Sequence, residues 1–300
     1  MTSFKQGYSL ALPPSPGRES IRRVALRAAE VLSDFGFSTI QPFRSYAELE
    51  RALLTGEVHA AWAPPTVCAR LQQRGARVPF RAIRFGATSY RSALLCRGER
   101  AIDIKRLGNY GAAVLRAAWV DHQSAAGYLM PRHYLRNRGV ELESTFDEVL
   151  LGSYKACFEA VLEGEADLTA SYVARRGSGY VDLCGSRAAE LRILAWTDEI
   201  SNDGIAVSPE LSREQRYAVE DQLRCAFNDP TANELIAQAF DADGFDEPEQ
   251  DAYDGVWDML CEERYRQKSN SRLTPRASTA TAGLTRTFSL AGGASLMKPV

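Results

Sequence analysis

Short apolar segments alternate with longer segments of helical periodicity through most of the 300-residue chain. This alternation is typical of α/β proteins, in which buried strands of a largely parallel sheet are connected by helices that pack on the sheet. At about 150 residues per domain, the length corresponds to two domains or lobes. We therefore expect an α/β fold with two lobes.

The first elements can be assigned from the N-terminal sequence. Residues 8–12 form a short apolar run that predicts a strand. The next segment has apolar side chains at helical spacing as far as Phe35, and Gly36 is a typical helix terminator. Residues 37–41 predict a second strand. Ser/Thr-x-x-Glu/Gln motifs, in which the end residues cap backbone N–H groups, predict helices that begin at Ser45, Thr145, Ser212 and Thr231.

Two segments of the chain resemble each other. Ala52-Leu-Leu-Thr-Gly56-Glu57 is similar to Ala160-Val-Leu-Glu-Gly164-Glu165, and a strand-like run follows each of them. The glycine supplies the left-handed turn through which a helix leads into a buried strand. We favour two lobes built on one plan over the alternative, a common helix-to-strand turn that occurs twice by chance.

Charge and hydropathy limit the partners and the location. Lys and Arg number 36 against 38 Asp and Glu, which gives a net charge of −2 and argues against a nucleic-acid partner. No segment approaches the roughly 18 apolar residues of a membrane span. The apolar run 8–12 is too short for the core of a signal peptide, and no small-residue cleavage site follows it. We therefore expect a cytoplasmic protein.

Residues that commonly carry metal or catalytic chemistry are sparse. The six cysteines contain no Cys-x-x-Cys pair, so we expect separate reduced thiols that are mostly buried. Three histidines do not support a His-rich metal site. Because neither a nucleophile–base set nor a glycine-rich nucleotide loop is recognisable, we expect no cofactor and favour a binding protein over an enzyme.

The segment 119–131 is the most suggestive of ligand binding. It predicts a strand end, a polar turn and a helix start made of small residues. Free backbone N–H groups at such a start attract anions, and Ser124 could donate its hydroxyl to a bound oxyanion. A plain helix cap at Ser124 is the alternative.

Several motifs together resemble a known family. Asp121-x-x-Ser124-x-x-Gly127-Tyr-Leu-x-Pro131 is followed by Gly152-Ser153-Tyr154 and by Gly164-Glu-Ala-Asp167. This order resembles the phosphate-, phosphite- and phosphonate-binding group of periplasmic solute receptors. Further matches, which extend the resemblance over about residues 5–262, begin at Tyr46, Tyr90 and Ser201.

The resemblance implies a type II periplasmic-binding-protein fold, with two α/β lobes joined by a two-strand hinge. Lobe one would comprise residues 1–93 plus 197–265, and lobe two residues 94–196. In the family, an oxyanion binds to a Ser-x-Ser helix start assisted by a His, and lobe-one aromatics and an acid contact the rest of the ligand. The corresponding ligand-binding residues would be Tyr46, Tyr90, Ser124, Ala125, Ala126, Tyr154 and Asp203.

This chain departs from the family pattern at its ligand donors. Ala126 stands in place of the second Ser and Tyr154 in place of the His, and each change removes a donor that a phosphonate dianion would use. In lobe one, His59 stands where the pattern has Asp. His122 could supply a replacement donor. These departures favour a small anionic or polar-aromatic metabolite.

The C-terminal region has two parts. Acidic and aromatic residues alternate between residues 241 and 263, which predicts an amphipathic helix whose acids are solvated. Ser, Thr, Ala and Gly then dominate, and we expect a disordered tail over residues 266–300.

The function that these features favour is a cytoplasmic solute-binding protein that closes on a small metabolite. We expect a sensing or regulatory role, in which a partner protein recognises the closed form or the tail. The first alternative is an enzyme on the same scaffold, resembling menaquinone- or thiamine-pathway proteins. The second is a degenerate module that no longer binds a ligand and serves as an interaction surface.

Overall fold

The structure, a computed structural model, describes residues 7–14, 18–104, 107, 114–173 and 179–273. The strands are β1 (Tyr8–Leu12), β2 (Phe37–Pro42), β3 (Ala60–Ala63), β4 (Arg77–Ile83), β5 (Ser89–Arg97), β6 (Leu115–Trp119), β7 (Phe146–Leu150), β8 (Leu168–Val173), β9 (Leu191–Ser201), β10 (Gly204–Val207) and β11 (Gly244–Asp246). The helices are α1 (Arg18–Leu32), α2 (Tyr46–Leu54), α3 (Pro65–Gln72), α4 (Met130–Arg136), α5 (Leu142–Thr145), α6 (Tyr154–Leu162), α7 (Gly179–Cys184), α8 (Arg213–Asn228), α9 (Pro230–Ala239) and α10 (Asp254–Leu273).

The strands form two mixed sheets, one in each lobe. The first has the order β11-β4-β10-β3-β1-β2 and the second β7-β6-β8-β5-β9. In the first sheet, β1 is parallel to β2 and β3, and β10 is antiparallel to β3. In the second, β6 is parallel to β7 and β8, and β5 is antiparallel to β8. The expected two-lobed α/β fold is confirmed, and both sheets share one strand pattern.

The similar sequence segments lie at equivalent positions in the two lobes. Helix α2 leads into β3 and helix α6 leads into β8, each through a left-handed glycine: Gly56 has φ 71° and Gly164 φ 76°. Both helices begin after a serine whose side chain accepts a backbone N–H from the first turn. The shared strand pattern and these equivalent turns support two lobes built on one plan.

The crossing strands lie side by side. Strands β5 and β9, which span the predicted lobe boundaries at residues 93 and 197, pair with each other in the second sheet. They lead from lobe one into lobe two and back. The predicted boundaries themselves stay predictions.

The N-terminal elements agree with the sequence. Strand β1 covers the predicted residues, and helix α1 continues through a 3₁₀ turn (Ser33–Phe35) to Gly36, whose φ is 81°. Strand β2 follows at once. The predicted helix starts at Ser45 and Ser212 are also confirmed, and Ser212 forms a complete capping box with Gln215.

The motif at Thr145 predicts its helix wrongly, whereas the helix predicted at Thr231 is present but begins earlier. Thr145 is the last residue of α5, and strand β7 follows it. In β7, Glu148 accepts a hydrogen bond from Trp119 Nε1 at 2.7 Å. The residue that the motif assigned to a helix cap therefore belongs to the sheet. Helix α9 begins at Pro230 instead of after Thr231, because the Asp229 carboxylate caps it.

The acidic C-terminal segment forms the predicted helix, α10, in which Val256 and Leu260 are buried. The expectation that its acids are solvated is wrong for Glu263, which is 5% exposed. Helix α10 continues to Leu273, so residues 266–273 of the predicted tail are helical. Residues 274–300, the remainder of that tail, lie outside the described residues.

The cysteines meet the expectation from the sequence only in part. All six cysteines are unpaired, and Cys68, Cys96 and Cys157 are buried, so half of them meet the expectation of burial. Of the helices in the described ranges, none has the length and apolar character needed to span a bilayer.

Candidate functional site

The predicted ligand residues of lobe two lie at the carboxyl ends of its parallel strands. Ser124 follows β6, and Tyr154 begins helix α6 shortly after β7. Tyr90, which the sequence assigned to lobe one, lies near the start of the crossing strand β5, and Arg91 of that strand pairs with Val173, the last residue of β8. The three residues therefore come from one sheet, at the edge where the parallel strands β6, β7 and β8 end.

The lobe-one residues occupy the corresponding edge of the other sheet. Tyr46 begins helix α2 after β2. Asp203 immediately precedes β10, whose first residue, Gly204, pairs with the last residue of β3, Ala63. Open α/β sheets bind their ligands at the carboxyl ends of their strands. Both lobes thus present the predicted residues at the edge where a ligand would bind.

Electrostatic interactions connect the predicted ligand residues of lobe one with those of lobe two. Burial, followed by the negative charges of Asp203 and then Asp121, raises the pKa of Tyr46. Burial, followed by Asp203 and Tyr154, raises the pKa of Tyr90 well above its ordinary value. Because such effects weaken with distance, Tyr46 lies within the influence of Asp203 and Asp121, and Tyr90 lies within that of Asp203 and Tyr154.

The helix start at Ser124 is held by its own side chains. Residues Ala125–Leu129 form a π-helical turn that runs into α4, and the Ser124 hydroxyl accepts the Gly127 N–H at 3.1 Å. The Asp121 carboxylate accepts the Ser124 N–H at 3.0 Å. A Cβ on Gly127 would lie 2.5 Å from Val120 Cγ2, so only glycine fits this turn.

Tyr154 adds a second hydroxyl beside this helix start. Its Oη lies 3.3 Å from Ser124 Oγ. Burial raises the pKa of Tyr154, so its phenol is neutral at physiological pH and can donate a hydrogen bond. Its ring contacts Tyr172 edge-on, with centroids 5.4 Å apart. Sequence reasoning missed Tyr172, although its place at the end of β8, on the same sheet edge, was a usable signal.

The other predicted ligand residues of lobe two differ in their exposure to solvent. Ala125 is partly buried, whereas Ala126 is only 2% exposed. The Ala126 carbonyl accepts a hydrogen bond from the Ser92 hydroxyl at 2.7 Å, which ties the helix start to crossing strand β5. His122 is exposed and lies edge-on to Tyr128, with ring centroids 4.9 Å apart.

Asp203 has a partner that the sequence did not predict. Arg84 Nη2 donates to Asp203 Oδ2 at 2.7 Å, and both side chains are about three-quarters buried, at 24% and 23% exposed. The adjoining Asn202 donates its side-chain N–H to the carbonyls of Ala82 and Ala87, and its own carbonyl accepts from Tyr253 at 2.9 Å. These contacts fix the start of β10 and hence the position of Asp203.

Metal ligands are not grouped at this site. In the ranges that the structure describes, no three His, Cys, Asp or Glu side chains are arranged to hold a metal ion. The hydroxyl and backbone donors on the lobe-two side and the ionised pair on the lobe-one side are suited to binding a small polar molecule.

Comparison with known proteins gives one family and several structures. The family model described as the periplasmic phosphonate substrate-binding protein of ABC transporters matches residues 38–253. No curated protein matches the chain in sequence.

Solved structures with similar folds share little sequence with this chain. XAC2383 from Xanthomonas citri, bound to ATP, has a TM-score of 0.70 and 16% identity, with 86% of this chain and 98% of that chain covered. PhnD1 from Prochlorococcus marinus, in complex with methylphosphonate, has a TM-score of 0.66, 16% identity and coverage of 86% and 98%. A binding-protein component of a phosphonate ABC transporter from Pseudomonas aeruginosa has a TM-score of 0.62, 16% identity and coverage of 89% and 100%. At this identity the similarity shows a common fold.

Proposed function

The chain belongs to the phosphonate-binding family of periplasmic ABC-transporter substrate-binding proteins, with their type II periplasmic-binding fold, and we propose that it binds a small oxyanion between Ser124 and Asp203. One observation carries the proposal. It is the pair of hydroxyl donors at the lobe-two helix start, where the Tyr154 Oη lies 3.3 Å from Ser124 Oγ.

The oxyanion end of the ligand belongs on the lobe-two side. The hydroxyls of Ser124 and Tyr154 and the N–H groups of the helix start are donors without a formal charge. Neutral donors hold a dianion less tightly than charged ones do, so we propose a ligand of low charge or a weakly held phosphonate. Methylphosphonate, which PhnD1 binds, and ATP, which XAC2383 binds, both present phosphorus oxyanions of the kind that such donors accept.

The rest of the ligand would contact lobe one. The rings of Tyr46 and Tyr90 are partly buried and lie within the influence of the Asp203 charge, and we propose that they offer flat walls to an aromatic or apolar group. A ligand that touches both lobes stabilises the closed arrangement over the open one. The Ser92–Ala126 hydrogen bond would carry movement of strand β5 directly to the helix start.

Calorimetry with methylphosphonate and inorganic phosphate tests the proposal, together with mass spectrometry of small molecules retained by natively purified protein. We expect Ser124→Ala to weaken oxyanion binding about tenfold or more through the lost hydroxyl. Ser212→Ala is the matched control, because it removes the cap of α8 without touching the crevice. Unchanged affinity in both Ser124→Ala and Tyr154→Phe would contradict the proposed site. A crevice that binds neither probe and retains no metabolite would favour the degenerate interaction module.

We propose that ligand closure is sensed by a partner protein in the cytoplasm, as the sequence predicted. Cell fractionation of the tagged chain tests the location, and affinity capture with and without bound ligand tests the partner. Recovery in the periplasm, together with ligand-dependent capture of a transporter, would replace sensing with delivery.

A further inference from the structure

Arg84 lies in the turn between β4 and β5, beside Asp203 of the proposed site. Its backbone pairs with Ala87 across the turn, which positions its side chain toward the start of β10. The guanidinium has three acceptors: Asp203 Oδ2 at 2.7 Å, the Asp241 carbonyl at 2.8 Å and the Phe240 carbonyl at 3.4 Å. These contacts hold the guanidinium beside Asp203, at the proposed site.

The surroundings of Arg84 are those that stabilise a cation. Although its burial opposes the charged form, the charge of Asp203 and the hydrogen bond to it hold the pKa of Arg84 above its usual value. The guanidinium also lies 5.9 Å from the Trp62 ring centroid. Aromatic faces next to a carboxylate are the usual binding place for an ammonium group.

We propose that Arg84 occupies the place that a cationic ligand group would otherwise take at Asp203, so that the crevice selects ligands whose substituent is uncharged. This inference rests on the proposed oxyanion site. A ligand ammonium at Asp203 would lie beside a fixed guanidinium and would be repelled by it. Among the contacts described for the Asp203 side chain, Oδ2 alone accepts a hydrogen bond, so Oδ1 can accept from a neutral ligand hydroxyl.

A pair of matched phosphonates tests this selection. Aminoethylphosphonate and propylphosphonate have the same number of heavy atoms and differ by an ammonium group in place of a methyl group. Calorimetry on the wild-type chain should show that the ammonium compound binds no more tightly than the propyl compound. In Arg84→Gln, Asp203 loses its cation, and we expect the ammonium compound to bind about tenfold more tightly than the propyl compound, as a new charged hydrogen bond would give.

Three further variants test whether the Arg84 cation and the Asp203 carboxylate cause the change in ligand preference. Arg84→Gln combined with Asp203→Asn should lose the new preference, because the carboxylate is gone. Arg84→Lys keeps a cation and should retain the wild-type ranking. Arg91→Gln is the matched control, since it removes an exposed ion pair with Glu199 from the neighbouring strand. Thermal unfolding of each variant verifies that it is folded.

The possible results distinguish a failure of the role of Arg84 from a failure of the proposed oxyanion site. A wild-type preference for the ammonium compound, no gain in Arg84→Gln, or a gain in Arg84→Lys as well would overturn the role of Arg84 while leaving oxyanion binding intact. Failure of the wild type and of every variant to bind either phosphonate would overturn the proposed function and the inference with it.

Discussion

The Nδ1 atom of His59 accepts the backbone N–H of Ser9 at 3.0 Å. In the other lobe, the Asp167 carboxylate accepts the backbone N–H of Arg116 at 2.8 Å. Ser9 and Arg116 are the second residues of β1 and β6, the strands at equivalent positions in the two sheets. His59 therefore performs the structural task of the aspartate that the family pattern leads one to expect, at the amino end of β3 and away from the ligand edge.

This hydrogen bond predicts a pH dependence of stability. Burial lowers the pKa of His59, and Nδ1 can accept the Ser9 N–H only when the ring is neutral. Below about pH 6.5 an unfolded histidine binds a proton that folded His59 resists, so the free energy of unfolding should fall as the pH is lowered through this range. Urea unfolding between about pH 7.5 and 5.5 measures this decrease.

Two variants isolate the contribution of His59. In His59→Asp, a carboxylate takes over as acceptor, as Asp167 does, and we expect the decrease below about pH 6.5 to shrink. His122→Ala should retain the wild-type decrease, because His122 is exposed and follows β6 in the other sheet, whereas Ser9 lies in β1. Identical pH profiles for the wild type and His59→Asp would contradict this role.

The overall fold could be predicted because its determinants are local. Strand β1 is a short apolar run between polar segments, and Gly36, Gly56 and Gly164 end helices in the left-handed conformation that glycine adopts without strain. Such signals are contained within a few residues. The ligand motif around Ser124 is equally local, since its cap and the glycine it binds are three residues apart.

The features that sequence reasoning missed depend on contacts between distant segments. The Thr145 motif predicted a helix, but the side chain of Glu148 bonds Trp119 on the adjacent strand, 29 residues away in sequence. Likewise, Arg84 and Asp203 are 119 residues apart, and no pattern in either segment reveals that they pair. Tertiary contacts override local propensity at such places.

Tyr154 offers a direct test of the oxyanion end. Replacing its phenol with an imidazole in Tyr154→His would supply a donor that becomes charged at mildly acidic pH, and charged hydrogen bonds contribute more than neutral ones. We expect methylphosphonate to bind Tyr154→His about tenfold more tightly at about pH 6 than at about pH 8. Calorimetry at both pH values measures this, and Tyr154→Phe should bind more weakly than wild type at both. A pH-independent affinity of Tyr154→His would argue against contact with the ligand.

Gly204 leaves no room for a side chain at the start of β10. An added Cβ would lie 2.6 Å from Tyr253 Oη and 3.0 Å from the Phe80 carbonyl, so Gly204→Ala should displace the segment that carries Asp203. We expect a loss of about 1–3 kcal/mol in the free energy of unfolding, as overpacking generally causes. The matched control is Gly255→Ala at the start of α10, where nothing lies within 4 Å and alanine should be neutral or stabilising. Equal unfolding midpoints for the two variants would contradict the close packing at Gly204.

Glu263 links helix α10 to the helix start of the ligand site. Its carboxylate accepts hydrogen bonds from Tyr128 at 2.8 Å and from Arg136 at 2.5 Å, and Arg132 lies within 3.3 Å. Tyr128 belongs to the π-helical turn that Ser124 begins. A displacement of the Glu263 carboxylate would therefore be transmitted to the proposed oxyanion donors through the Tyr128 side chain.

The charge of Glu263 should stabilise the fold at neutral pH and not in acid. Burial alone would raise the pKa of Glu263, but the charge of Arg132 and the hydrogen bond from Arg136 together hold it below its ordinary value. The folded state thus favours the ionised form, and its contribution is present above about pH 4.3 and is lost as the pH falls further.

We expect Glu263→Gln to lower the free energy of unfolding by about 2 kcal/mol at about pH 7 and by less at about pH 3. Urea unfolding at both pH values measures the difference. Glu262→Gln, which alters a contact with His133 in which the side chains are 31% and 27% exposed, should cost under about 1 kcal/mol. A Glu263→Gln deficit that stays constant between the two pH values would contradict a charged Glu263 in the folded protein.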